Sequence, residues 1–471
     1  MLIRAALVVM VVYWTGYWIA GLAVAVLLLI WALLGSDEGP PVLALALTYQ
    51  WMQVTIGLFY YLLTGEELEA IYATDWQRMM LIGLGWITCL AVAMFYGIVL
   101  TRRRVTPPTD APAFAVSAKI LYAAYGASLL LTGVVQELAW QFPMFTQAIL
   151  AITFAHLGLL FVLTRRFTRP RFQWEKLAVL MAIEVAVGFT GYFAGFREPI
   201  VMGAIAVLEV FDRSDLRHWA FAGVLAAVLV VSSLVWMSVR GQLRQEIDDE
   251  LLSNSRVERF DRARTLSSGL LSQAPSDYSD AATRLVDRLW AIKYPAMALE
   301  RVPAQVPHTG GEIMWDALVH LVTPRFLYPD KPDLISDSDL VRKYAGANVA
   351  GSESNTSIAF GYVAESYVDY GLPWMFVPAI VYGLLLGVTF QLWLSVIQHR
   401  ELAIAVTTVV FWLALYLFER SWAKTLGGTI TLMVYLGGFV YLIDQWLLMR
   451  RAHQIATGLA DHVIDTRTSL T

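Results

Sequence analysis

From residue 79 to residue 100 the chain reads MMLIGLGWITCLAVAMFYGIVL without one charged side chain. About 20 such residues in a helix reach across the hydrocarbon of a bilayer. Further strongly apolar runs recur at 5–34, 42–63, 114–135, 145–163, 177–194, 199–211, 219–237, 374–396, 402–418 and 426–448, of which 199–211 is short for a full crossing. With 58% hydrophobic and 15% charged side chains, the composition lies far outside the soluble globular range. The expected fold class is an all-α polytopic membrane protein of about 11–12 transmembrane helices. The run at 5–34 is too long for a signal-peptide core of roughly 7–15 residues. It reads either as one tilted helix or as two short ones folded back near Gly16 or Gly21.

Basic residues in the short loops set the orientation. Arg102, Arg103 and Arg104, then Arg165, Arg166, Arg169, Arg171 and Lys176, then Arg213 and Arg217, Arg400, Arg450 and Arg451 fall on one side if all these runs cross. The opposite loops carry Glu66, Glu67, Glu69, Asp75 and Glu137, with Arg197, Arg420 and Lys424 among their few cations. The Arg-rich side reads as cytoplasmic, which makes the long polar insert extracytoplasmic. Four regions result: an N-terminal bundle (1–239), the loop with amphipathic helices (240–372), C-terminal transmembrane helices (373–449) and a cytoplasmic tail (450–471).

Function is expected in the second half of that insert. There Arg325, Lys331, Arg342 and Lys343 are interleaved with Asp330, Asp333, Glu353, Glu365 and Asp369. Pro324, Pro329 and Pro332 oppose regular structure over most of the stretch, and loops of that length are commonly functional. Several guanidinium and ammonium groups suit an anionic substrate, since the planar fork of Arg matches phosphate oxygens. A carboxylate beside them is placed to accept a proton from an attacking hydroxyl. Glu365 stands in an otherwise uncharged run, and Asp369 lies one helical turn further on. Arg197, between two apolar runs, is a further candidate, because an ionisable residue at membrane depth is costly.

Other chemistries lack their residues. No G-x-x-x-x-G-K-[ST], H-E-x-x-H or G-x-S-x-G motif occurs. The single cysteine, Cys89, allows neither an internal disulfide nor a Cys-based metal site.

Two segments carry a family resemblance. TPRFLYPDKP at 323–332, followed by SNTSIAFGYVAESYVDYGLPW at 354–374, resembles the signature loop of O-antigen polymerase-like (Wzy-type) oligosaccharide repeat unit polymerases. GYFAGFREPIVMGAIAVLEVF at 191–211 resembles that family's element of small residues, an Arg and an apolar helix, with Glu198 and Pro199 where a Gly is commoner. The resemblance implies a GT-C-like glycosyltransferase of the bacterial cytoplasmic membrane, with its site on the extracytoplasmic side. It would transfer a growing glycan from undecaprenyl diphosphate to a new carrier-linked repeat unit. Glu365 and Arg325 would be catalytic, with Arg197, Arg325, Lys331, Arg342 and Lys343 on the diphosphate and Asn355, Thr356, Tyr367 and Asp369 on the glycan. No cofactor, metal or nucleic acid is implied. Partners would be the lipid-linked donor and acceptor, the bilayer, a chain-length regulator and a flippase. A ligase-type transferase to another acceptor and a non-enzymatic lipid-linked glycan transporter are the alternatives. A transporter would favour paired repeats with central charges, whereas these charges gather in one outer loop.

Overall fold

The computed structural model describes residues 2–35, 39–66, 75–104, 116–142, 145–169, 171–188, 196–212, 214–249, 275–323, 328, 331, 333–351 and 357–468. Among these, the fold is all-helical and contains no strand. Among the described residues, six helical stretches are long and apolar enough to cross a membrane: Val42–Thr64, Trp76–Arg102, Thr146–Thr168, Leu216–Met237, Phe376–Val396 and Trp422–His453. The coarse expectation of an all-α membrane protein therefore has its structural counterpart.

The N-terminal run is two helices, α1 (Leu2–Thr15) and α2 (Trp18–Leu34), with the chain turning at Gly16 in the left-handed region (φ +71°). The two pack against each other so closely that a Cβ on Gly21 would stand 2.2 Å from Val12. Helices α3 (Val42–Thr64) and α4 (Trp76–Arg102) follow, then α5 (Ala118–Gln141), α6 (Thr146–Thr153) and α7 (Ala155–Thr168). Next come α8 (Trp174–Gly188), α9 (Arg197–Glu209) and α10 (Leu216–Asp249). The last of these runs straight past the boundary read at 239/240, so the N-terminal bundle and the insert share one continuous helix.

The insert contributes α11 (Pro275–Leu289), α12 (Lys293–Arg301), α13 (Glu312–Val322), α14 (Asp337–Leu340) and α15 (Tyr362–Tyr370). Part of the stretch expected to lack regular structure is thus helical, since a π-helical turn (Val341–Ala345) continues α14. The local cause lies in SDSD. Ser336 caps the turn, its Oγ accepting from the Asp339 N–H at 3.2 Å. The chain closes with α16 (Phe376–Val396), α17 (Arg400–Leu415), α18 (Trp422–Thr431), a π-helical turn (Leu432–Gly437) and α19 (Gly438–Thr468).

Helices α4 and α16 pack closely along their length. A Cβ on Gly387 would meet the Met94 carbonyl oxygen at 2.1 Å, and one on Gly97 would meet that of Leu384 at 2.5 Å. Small residues let two spans approach backbone to backbone, where dispersion and weak polar contacts hold them without help from water.

The non-helical link between α17 and α18 is the feature that positions the site. Its backbone polar groups have little water to bond to, so side chains must satisfy them. Gln50 donates to the Leu415 carbonyl, and Gln53 donates to Tyr416 O at 2.8 Å while accepting from Phe418 N–H at 2.9 Å. The Tyr362 N–H donates to Arg420 O at 2.7 Å, and the Tyr362 hydroxyl donates to Gln50 at 2.8 Å. Gly361 (φ +94°) lets α15 begin against this link, where a Cβ would lie 2.6 Å from Phe418 O. Below the link, Trp86, Tyr362, Tyr382 and Trp422 pack edge to face with ring centroids 5.2–5.5 Å apart.

Candidate functional site

Glu365 lies in α15, just before the α16 span, and is almost fully buried at 1% exposure. Its Oε2 accepts the Trp422 N–H at 2.7 Å, which caps the first turn of α18. The Trp422 indole N–H donates to Ser366 at 2.8 Å, so α15 holds the start of α18 at two points. The other oxygen of Glu365, Oε1, is buried with no hydrogen-bond partner among the described residues, as is the Ser421 hydroxyl. Both residues line a cavity of about 80 Å³, enough for several waters. Burial, with Asp337 and Asp369 adding to it and the Trp422 N–H and Lys424 opposing, pushes the Glu365 carboxyl up to about 8.

The cavity wall brings together α13, through Glu312, Ile313, Asp316 and Ala317, and the 334–344 segment, through Asp337, Lys343 and Tyr344. That segment is tied down from several sides. Ser338 donates to Ala350 O at 2.8 Å and accepts from Ile358 N–H at 2.9 Å. Asp337 accepts from Ser357 at 3.1 Å and pairs with Lys424 of α18 at 2.6 Å. Lys424 in turn donates to Ser357 at 2.8 Å.

Of the residues singled out by sequence, Glu365 and Lys343 share this cavity. Arg325, Asn355 and Thr356 lie outside the described residues. The remaining candidates have other partners. Arg342 donates to Val349 O at 2.6 and 3.0 Å and pairs with Asp339 at 3.1 Å, holding its own loop. Lys331 donates to the His320 carbonyl in a groove next to the cavity. Arg197 pairs with Glu198 at 2.7 Å, donates to the Tyr416 hydroxyl at 3.2 Å and stacks on that ring, 5.0 Å from its centroid. It belongs to a separate cluster beside Arg420, which approaches the same ring at 5.6 Å.

Tyr367 and Asp369 face inward rather than toward the cavity. The Tyr367 hydroxyl donates to Val302 O at 2.9 Å. Asp369 accepts the N–H groups of Ile313 and Met314 at 3.1 and 2.8 Å together with the Thr309 hydroxyl, so it caps α13. His308 is edge-on to Tyr367 and contacts Val368 O at 3.2 Å.

Asp337, Ser421 and Lys424 are the site residues that sequence reasoning passed over. Lys424 carried a signal as one of the few cations in loops opposite the Arg-rich side. The S-x-x-D pattern at 336–339 was a signal that could have found the short helix at Asp337, though not its proximity to α18.

Chemically, the arrangement offers a proton acceptor with one buried, unpartnered oxygen, a hydroxyl and the positive end of α18, with Lys343 in the cavity wall, Lys424 paired to Asp337 and acidic side chains around them. Among the described residues, no group of three or more His, Cys, Asp and Glu side chains is placed to hold a metal ion. Comparison with curated proteins and comparison with solved structures each return no match. A family model described as a domain of unknown function, DUF8712, matches residues 41–417, which include Asp337, Lys343 and Glu365 and stop short of Ser421 and Lys424. Since that match takes in most of the chain, from α3 through α17, the protein belongs to the DUF8712 family.

Proposed function

We propose that the protein is a membrane glycosyltransferase that polymerises polyprenyl-diphosphate-linked oligosaccharide repeat units on the outer face of the cytoplasmic membrane. The observation that carries this reading is the buried, unpartnered Oε1 of Glu365, in a residue that lines a cavity together with Asp337, Lys343 and Ser421. The resemblance of the 323–332 and 354–374 segments to Wzy-type polymerases supplies the substrate class.

In the proposed step the acceptor hydroxyl attacks the anomeric carbon of the donor glycan. The new C–O bond forms as the bond to the carrier diphosphate breaks, and the diphosphate leaves with the electron pair. The hydroxyl proton passes to Glu365. A carboxyl titrating near 8 is a stronger base than an ordinary one, and a positioned base contributes typically about 10²–10⁴ in rate. Charge developing on the diphosphate calls for cations. Lys343 lines the cavity, Lys424 is paired with Asp337 of its wall, and the resemblance adds Arg325. An apolar cleft of about 470 Å³ between α5, α7, α17 and α19 suits the chain of a lipid substrate.

Cells carrying Glu365→Gln test the reading. They should express the folded protein, make no polymer and accumulate single repeat units on the outer face. Long polymer stranded on the carrier would indicate a ligase, and repeat units facing the cytoplasm a transporter. Wild-type chain distributions would remove Glu365 from the chemistry.

A further inference from the structure

Helix α13 presents three different sides. Successive residues turn by about 100°, which sets Ile313, Met314 and Ala317 on one side, Glu312, Asp316 and His320 on the next, and Trp315, Leu318, Val319 and Val322 on the third. The first side packs against the protein core. On the second, Glu312 and Asp316 line the Glu365 cavity. The third side is exposed, with Trp315 at 66% and Val322 at 72%. Tyr328 and Ile335, also exposed, flank it.

The anchorage of α13 fixes its level. Its first turn is capped by Asp369, in the helix immediately before the α16 span, and its body packs on α18, the opening segment of the Trp422–His453 span. Both attachments are therefore at the ends of membrane-crossing helices. Trp315 and Leu318 share a groove with Tyr370, the last residue of α15, and exposed apolar side chains stand just beyond it in the chain, at Leu372 and Trp374 in the turn before α16 and at Val377, Ile380 and Val381 on the span itself. Trp at such a level is the residue type that favours the boundary between headgroups and acyl chains. An amphipathic helix with Trp and Leu on its apolar side is of the type that lies in the interface plane.

We propose that α13 is an interfacial helix whose Trp315, Leu318, Val319 and Val322 face is immersed in bilayer lipid, while Glu312 and Asp316 turn toward the Glu365 cavity. The occupant of this face is lipid rather than a partner protein, because α13 is anchored at the ends of two membrane-crossing helices, at the level where the exposed apolar side chains of α16 begin. The cavity then opens at the waterline of the membrane, where a substrate on a lipid anchor meets it without leaving the leaflet. The placement of α13 stands independently of the transferase reading and needs no catalytic assay.

Nitroxide labels on single cysteines in a Cys89→Ala background, with the full chain in phospholipid nanodiscs, test it. Trp315→Cys, Leu318→Cys and Val322→Cys should give collision with oxygen exceeding collision with a water-soluble nickel chelate, and the ratio should invert at Glu312→Cys and Asp316→Cys. Nickel exceeding oxygen at 315, 318 and 322 would overturn the proposal in favour of a water-facing helix. Low collision with both reagents there would overturn it in favour of a protein-covered face. As a second readout, a fluorophore at position 318 should be quenched by headgroup-proximal nitroxide lipid more strongly than one at 316, and equal quenching would contradict the assignment.

Discussion

Replacing Glu365 by Gln should change how stability depends on pH, because the wild-type carboxyl is held in an environment that opposes its charge. Burial raises its pKa from 4.5 in the unfolded chain to about 8 in the folded protein. Between those values the folded state keeps a proton that the unfolded chain has lost, so stability falls as pH rises through the window. From pH 6 to the folded pKa the slope starts at roughly 1.4 kcal/mol per pH unit and halves at the pKa itself, so the loss is about 2 kcal/mol. Above pH 8 the loss levels off. Gln still offers a carbonyl oxygen to the Trp422 N–H and does not ionise, so its curve should lack this component. Thermal unfolding followed by intrinsic tryptophan fluorescence at pH 6, 7, 8 and 9, with wild type and variant side by side, measures the difference. The two proteins should diverge progressively toward pH 8, with the variant the more stable. Parallel curves would refute the claim that Glu365 is a strained, protonatable group. If Glu365 is also the base, activity must rise through the same window in which stability declines.

Three further outcomes follow from individual contacts. Asp369→Ala leaves the N–H groups of Ile313 and Met314 without their acceptor and should cost about 1–3 kcal/mol, with faster proteolysis at α13, whereas Asp369→Asn should be milder. Gly387→Ala forces α4 and α16 apart against the Met94 carbonyl and should lower the melting temperature by the equivalent of about 1–3 kcal/mol, as overpacking does. Lys424→Ala and Asp337→Asn remove a pair whose Lys is 53% exposed, so a double-mutant cycle on stability should find a coupling of about 0–1 kcal/mol. Their effect on transfer activity should be the larger one, because Asp337 lines the Glu365 cavity and Lys424 holds it there.

The membrane character was legible because a span of about 20 apolar residues is a local pattern that needs no tertiary information. Glu365 was legible for a similar reason, as an acid in an otherwise uncharged run. The break at Gly16 was one of two readings left open, and only helix packing chooses between them. What sequence did not reveal are pairings across long separations. Gln50 and Gln53 sit in the first long span and look like ordinary polar interruptions, yet they satisfy the backbone of the link after α17. Arg342 and Asp369 read as ligands of substrate because charge near a suspected site invites that role. The structure gives their hydrogen bonds to a loop carbonyl and a helix start. Local charge density does not distinguish a group that awaits a substrate from one that holds its own loop together.

The central claim meets its most direct test in purified protein reconstituted into liposomes with a defined polyprenyl-diphosphate-linked repeat unit as both donor and acceptor. The account predicts a ladder of products spaced by one repeat unit, one free polyprenyl diphosphate released per bond formed, and neither from folded Glu365→Gln protein. Absence of extension by wild type, or equal ladders from wild type and Glu365→Gln, would contradict it.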